Sequence, residues 1–268
     1  MTPLLVASYL LVGAAAGLLA GLLGVGGGLV IVAALAWLLP QAGVPAERVM
    51  HVALASSLAS IVATSISSTR AHWRRGSVMW PSVAWLAPGL VLGGVLGALL
   101  ADRLSSQVLR LGVAAFCLLA AWQLLTREGA ADHAEGAVPR GGLLSAWGVV
   151  IGALSALVGI GGGSMTVPLL IAQGARPVRA VGSSAACGFA IAVASALGYV
   201  AGGHDAQGLP AGSIGYVYLP AALGIAAASV LAAPWGAALA HRLKGRHLQR
   251  VFAAFLALMG LSVLASAL

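Results

Sequence analysis

Seven long stretches of this chain carry almost no charge: Leu4–Leu23, Val49–Ser68, Val78–Ala101, Val108–Leu125, Ala180–Ala201, Ile214–Ala240 and Val251–Leu268. Each reaches or approaches the roughly 20 residues that a helix needs to cross a hydrocarbon core. Only 7% of the 268 residues are charged, against about 25% in a soluble domain. Such a chain cannot dress a water-facing surface of its size, and its backbone polar groups must be satisfied internally. In lipid that leaves helices.

The net charge of +8 would suggest a nucleic-acid partner in a soluble chain. Here the basic residues lie in the short connections between apolar runs, where they act as topology determinants. No basic patch interleaved with aromatics exists, which excludes nucleic acid as a partner. Trp80, Trp85, Trp122, Trp147 and Trp235 fall near segment ends and read as aromatic-belt residues. Cys117 and Cys187 sit inside apolar runs and read as buried free thiols. No Cys or His spacing suits a metal, so neither metal nor cofactor is expected. The first apolar run lacks a basic leader and belongs to an internal repeat, so it is expected to be retained.

That repeat organises the chain. Gly13, Gly17, Ala20 and the run Gly24-Val25-Gly26-Gly27-Gly28 recur at one constant offset as Gly148, Gly152, Ser155 and Gly159-Ile160-Gly161-Gly162-Gly163. Ala55-Ser56-Ser57 matches Gly182-Ser183-Ser184. Gly97 with Ala101-Asp102-Arg103-Leu104 matches Gly236 with Ala240-His241-Arg242-Leu243. We therefore expect a first transmembrane repeat over 1–125, a polar linker over 126–142 and a second repeat over 143–268. The linker holds three of the six acidic residues, Glu128, Asp132 and Glu135.

Each repeat contains five apolar segments, and the second is too short to span: Leu29–Leu39 in one, Met165–Ala172 in the other. Short, glycine-interrupted segments at matching positions point to a transporter binding site. If the first two segments of each half form a returning hairpin, the halves are inverted. Eleven of the 14 basic residues then fall on one side, leaving Arg48, Arg103 and Arg110 on the other. A broken spanning helix would make the halves parallel and split the charges more evenly. The fold expected is an all-α polytopic membrane protein made of two inverted repeats with half-length helices.

Consecutive glycines inside a membrane segment break the helix and expose N–H groups. A helix N-terminus beginning at the same point adds its positive dipole end. Together these make an anion site. The expected backbone cradle is Gly26, Gly27 and Gly28 with Gly161, Gly162 and Gly163. Ser56, Ser57, Ser183 and Ser184 are candidate hydroxyl donors, with Ser164 and Thr166 as additional ones in the second half alone. Gly13-Ala14-Ala15-Ala16-Gly17 and Gly93-Gly94-Val95-Leu96-Gly97 read instead as packing surfaces. No acid falls within an apolar segment, so the usual coupling residue is missing. His51 reads as hydrogen-bonded or interfacial, and Arg176 and Arg179 as topology charges. No catalytic arrangement is found, and no enzyme is expected.

The string Gly21-Leu22-Leu23-Gly24-Val25-Gly26-Gly27-Gly28 and its echo Val158-Gly159-Ile160-Gly161-Gly162-Gly163 resemble the TauE/SafE family of membrane permeases. So do Gly208-Leu209-Pro210 with Gly215-Tyr216-Val217-Tyr218-Leu219-Pro220-Ala221, and Ala233-Pro234-Trp235-Gly236-Ala237 with Ala240-His241-Arg242-Leu243. The resemblance spans nearly the whole chain. It implies export of sulfite or organosulfonates such as sulfoacetate, from a bacterial cytoplasmic membrane. Half one departs from the pattern, with Leu29-Val30-Ile31-Val32-Ala33 and no proline matching Pro168. The expected function is a secondary transporter exporting a small sulfur-containing anion. A non-transporting scaffold, an intramembrane enzyme subunit and a passive anion channel are the alternatives. The expected partners are the small anionic substrate and the lipid bilayer, with a homodimer left open.

Overall fold

The computed structural model describes residues 3–23, 27–126, 139–240 and 246–265. Ten helices lie among them: α1 (Pro3–Leu23), α2 (Gly28–Leu38), α3 (Val49–Trp73), α4 (Trp80–Asp102), α5 (Ser106–Thr126), α6 (Gly142–Val158), α7 (Gly163–Ala172), α8 (Pro177–Gly202), α9 (Leu219–Ala240) and α10 (Arg246–Ala265). Six of these, α1, α3, α4, α5, α8 and α9, are long and apolar enough to cross a membrane. The protein is an all-α polytopic membrane protein. Most of the expected linker, and Gly26 of the first glycine run, lie outside the described residues.

Local chemistry sets several boundaries. Arg176 is extended before Pro177, which opens α8 at a position where its missing N–H is harmless. Gly159 closes α6 in the left-handed conformation, φ 74°. The run expected to be helical from Ile214 begins instead with a hairpin, β1 (Ser213–Ile214) paired antiparallel with β2 (Val217–Tyr218). Gly212 and Gly215 take φ of 90° and 52° there, which bends the chain before Pro220 can start α9.

Glycines set the helix directions. Gly13, Gly17 and Gly21 of α1 meet Ile225, Ser229 and Ala233 of α9 in the same rising order, so the two run parallel. Gly89, Gly93 and Gly97 of α4 meet Ser145, Val149 and Ala153 of α6 in the same way. Gly198 and Gly202 of α8 rise against Ala98 and Asp102 of α4. In contrast, Gly182 of α8 meets Ser77, just past the end of α3, while Gly188 meets Ser65 within it. Helices α3 and α8 therefore run antiparallel, although they hold matching places in the two repeats.

Lipid tails are as apolar as these side chains, so close backbone approach and hydroxyl bonds supply the adhesion between helices. A methyl group on Gly17 would lie 2.5 Å from the Ser229 carbonyl oxygen. Ser229 donates its hydroxyl to the Gly13 carbonyl at 2.7 Å, and Ser67 donates to that of Val230 at 2.8 Å. The glycines of α1 and α4 thus pack helices, as their scattered spacing suggested. The five belt tryptophans are all exposed on the outside of the bundle.

The end of α3, with Arg70, Arg74 and Arg75, meets the start of α8, with Arg176 and Arg179, on one face. Arg48, Arg103, Arg110 and the β-hairpin occupy the other, since Arg48 bonds Tyr216 and Gly202 meets Asp102.

The packing predicts a contrast between two glycines. A Cβ at Gly93 would run into the Val149 carbonyl, whereas one at Gly112 meets nothing within 4 Å. Gly93→Leu should destabilise the detergent-solubilised protein by about 3 kcal/mol or more, read as a fall in Tm. Gly112→Ala should leave Tm unchanged.

Candidate functional site

Helices α3 and α8 cross at the centre of the bundle, and the two glycine runs meet against them. Gly27 takes φ 62° before α2, and Gly162 takes φ 72° before α7, so matched glycines turn the chain into matched short helices. After each turn two amides fold back onto the turn carbonyl: Val30 and Ile31 onto Gly27, Met165 and Thr166 onto Gly162. The N–H groups of Gly161, Gly162, Gly163 and Ser164 have no acceptor among the described residues. Four consecutive free amides at a helix N-terminus form an electropositive nest.

The two runs are not equally open. A Cβ on Gly28 would strike the Gly159 carbonyl, and one on Gly27 would strike that of Ala16. Ser57 donates its hydroxyl to the Gly159 carbonyl at 2.8 Å, with the Gly28 carbonyl at 3.4 Å. Gly28 is thus packed backbone to backbone against the α6–α7 turn, and Gly27 against α1. Gly161, by contrast, lines a small cavity with Thr64, Ser65 and Ser68 of α3, Ser184 and Gly188 of α8, and Ala20 of α1. Its volume is about 10 Å³, enough for about one water molecule. The Ser68 hydroxyl is buried beside it without a partner. Around the start of α7, Ser155, Ser164 and Thr166 also hold buried hydroxyls without partners. Among the described residues, no charged side chain lines this cavity.

The serines divide into two kinds. Ser56 accepts the Tyr218 N–H at 3.0 Å, and Ser183 accepts that of Met79 at 2.8 Å. Met79 precedes α4 and Tyr218 precedes α9. The first serine of each pair therefore fastens the fourth helix of the opposite repeat. Ser57 bridges glycine turns, and only Ser184 reaches the cavity, while donating to the Val181 carbonyl at 2.8 Å. Gly162 and Gly163 are buried just behind Gly161, and Ser164 lines an apolar groove along α5. His51 is hydrogen-bonded through Nε2 to the Ala101 and Leu104 carbonyls, both at 3.1 Å.

Thr64, Ser65, Ser68 and Gly188 were not singled out from sequence. A signal exists: Ser57, Ser60, Thr64 and Ser68 recur every three or four residues along an otherwise apolar helix. Such a stripe stays on one helix face, and all four are buried.

Residues 9–263 match the family model described as sulfite exporter TauE/SafE. A probable membrane transporter protein of Haemophilus influenzae is 36% identical over 255 residues, covering 95% of this chain and 96% of that protein. Another, from Methanocaldococcus jannaschii, is 27% identical over 266 residues, covering 97% and 96%. No solved structure matches the chain at a significant level.

Because Ser57 satisfies a buried carbonyl between the two turns, Ser57→Ala should cost about 1–3 kcal/mol of stability. Thermal unfolding in detergent measures this. An unchanged Tm would show that the bridge contributes nothing.

Proposed function

The chain belongs to the sulfite exporter TauE/SafE family, and from that membership we propose that it exports a small sulfur-containing anion, such as sulfite or an organosulfonate, through the cavity between α3, α8 and the α6–α7 turn. It is an integral membrane transporter; the substrate, the direction and the bacterial inner membrane are our reading. The observation that carries this reading is the meeting of four unpaired amides with a cluster of buried hydroxyls at mid-bundle.

The chemistry suits a transported anion. A helix N-terminus carries roughly half a positive charge, worth about 2 kcal/mol toward a monoanion at about 4 Å with an effective dielectric near 20. Neutral hydroxyls add donors without a fixed charge. Binding of that strength is reversible. An arginine in the same place would hold the anion more tightly and slow its release.

We read the two repeats as inverted, a relation supported by the antiparallel course of α3 and α8. The basic-rich face is then cytoplasmic. Ser65 and Ser68 lie in the half of α3 nearer that face, whereas the Ser57 bridge closes the path toward the other. This arrangement fits a carrier closed around its site with the cytoplasmic side as the loading side. Room for one water means that the helices must part to admit an anion, which rocking of one repeat on the other supplies. A passive channel would need a continuous opening.

Gly161, Gly162, Gly163 and Ser164 would offer amides, with Ser68 and Ser184 nearest the solute. Gly27 and Gly28, and the Ser56 and Ser183 fasteners, would hold the frame that moves. Gly26 enters this reading only as the matched partner of Gly161.

Proteoliposomes containing the purified chain should release labelled sulfite with saturating kinetics, competed by sulfoacetate. Ser68→Val removes a donor and adds bulk beside the cavity, and should lower flux by about tenfold or more. Absence of protein-dependent sulfite or organosulfonate flux would end this reading. Linear, non-saturating flux would replace the carrier with a channel.

A further inference from the structure

Two cavities on the α5 edge of the bundle lie side by side, with Leu104 in the lining of both. The first, about 480 Å³, opens on the sparsely basic face and is lined by Arg48, His51, Ser106, Gln107 and Arg110, with Glu47 at its exposed rim. The second, about 570 Å³, is an apolar groove between α5 and the α6–α7 region, lined among others by Val108, Gly112, Phe116, Leu119, Leu157 and Met165. Neither is the cavity beside Gly161 assigned to the transported anion, although Ser164 also lines the groove, and this inference does not depend on that assignment.

The polar end is built to keep a positive charge available. Arg48 donates to the Tyr216 hydroxyl at 2.7 Å and lies over its ring, 5.7 Å from the centroid. Tyr216 in turn donates to Asp102 at 2.8 Å. Burial, then the hydrogen bond to Asp102, pushes the Tyr216 phenol up to about 12, so it stays a neutral relay. The guanidinium is positioned by a hydroxyl without being neutralised by a direct carboxylate contact, and an arginine retains further donors for a second acceptor. His51 stacks on Tyr216 at 5.0 Å, and its Nδ1 is buried without a partner. Arg110 sits one turn into α5, at the depth where helix ends meet lipid headgroups.

The apolar end has the dimensions of an acyl chain. From Val108 to Gln123 the groove follows α5 for about 22 Å, beyond one leaflet's share of a hydrocarbon core of roughly 30 Å. Its floor includes Gly112, where an added Cβ would meet nothing within 4 Å. We propose that this edge is a specific site for one anionic phospholipid, with its phosphate between Arg48 and Arg110 and an acyl chain along α5 in the adjoining groove. Charge complementarity at one end and an unfilled apolar channel at the other select an amphiphile over a free ion.

Native mass spectrometry of the full chain in detergent tests this, with dioleoylphosphatidylglycerol and dioleoylphosphatidylcholine as probes. The parent protein should retain one phosphatidylglycerol in clear preference to phosphatidylcholine. A basic side chain near the membrane surface contributes about fivefold, so Arg48→Gln with Arg110→Gln should weaken phosphatidylglycerol about 30-fold. Gly112→Leu fills the groove without touching the headgroup pocket and should weaken it as well. Retention at the parent level in both variants overturns the assignment. Loss in the arginine pair alone, with inorganic phosphate competing in the parent, marks a small-oxyanion pocket and overturns it equally.

Discussion

A backbone amide or carbonyl left unpaired in hydrocarbon costs several kcal/mol, and this chain interrupts two of its helices deep inside a membrane bundle. What receives the freed groups decides the rest of the structure. The Gly159 carbonyl is taken by Ser57, which locks the first glycine turn against the second. The amides from Gly161 to Ser164 have no such partner among the described residues, and they lie beside buried hydroxyls that also lack one. One pole of the central contact is closed by the protein itself. The other is left without a partner among the described residues.

The frame around that contact is held by devices that repeat. Parallel glycine-faced pairs, α1 with α9 and α4 with α6, bring the first helix of each repeat against the fourth helix of the other. Ser56 and Ser183 then pin the starts of those fourth helices. Each repeat is thereby incomplete without its counterpart, because its own helices leave glycine faces and a helix start uncovered. Rocking one repeat on the other would therefore have to shift these cross-repeat pairs as well as the α3–α8 crossing.

Much of this was legible in the sequence, for physical reasons. Long uncharged runs can only be membrane helices, and a constant offset between glycine motifs exposes the repeat and its half-length helices. Basic residues gathered in alternate connections include those where the end of α3 meets the start of α8. Side-chain roles were harder to see. Ser56 and Ser57 are neighbours, yet one points to a hairpin amide and the other to a glycine carbonyl, a distinction set by tertiary placement. Thr64 and Ser65 were overlooked because the matched positions of α8, Ile191 and Ala192, do not repeat them; Ser68 does have a counterpart in Ser195, and the three-to-four spacing along α3 was a further clue. The hairpin before α9 was hidden because its residues are as apolar as the helix they precede, and only Gly212 and Gly215 betray it.

The most direct measurement is an anomalous difference map from crystals of the protein grown with selenite, the heavier analogue of sulfite. A selenium peak between the Gly161–Ser164 amides and Ser68, with α3 and α8 drawn apart to admit it, is the result expected. A peak confined to surface arginines, with the cavity beside Gly161 still closed at saturating selenite, would contradict the idea that these amides bind the transported anion.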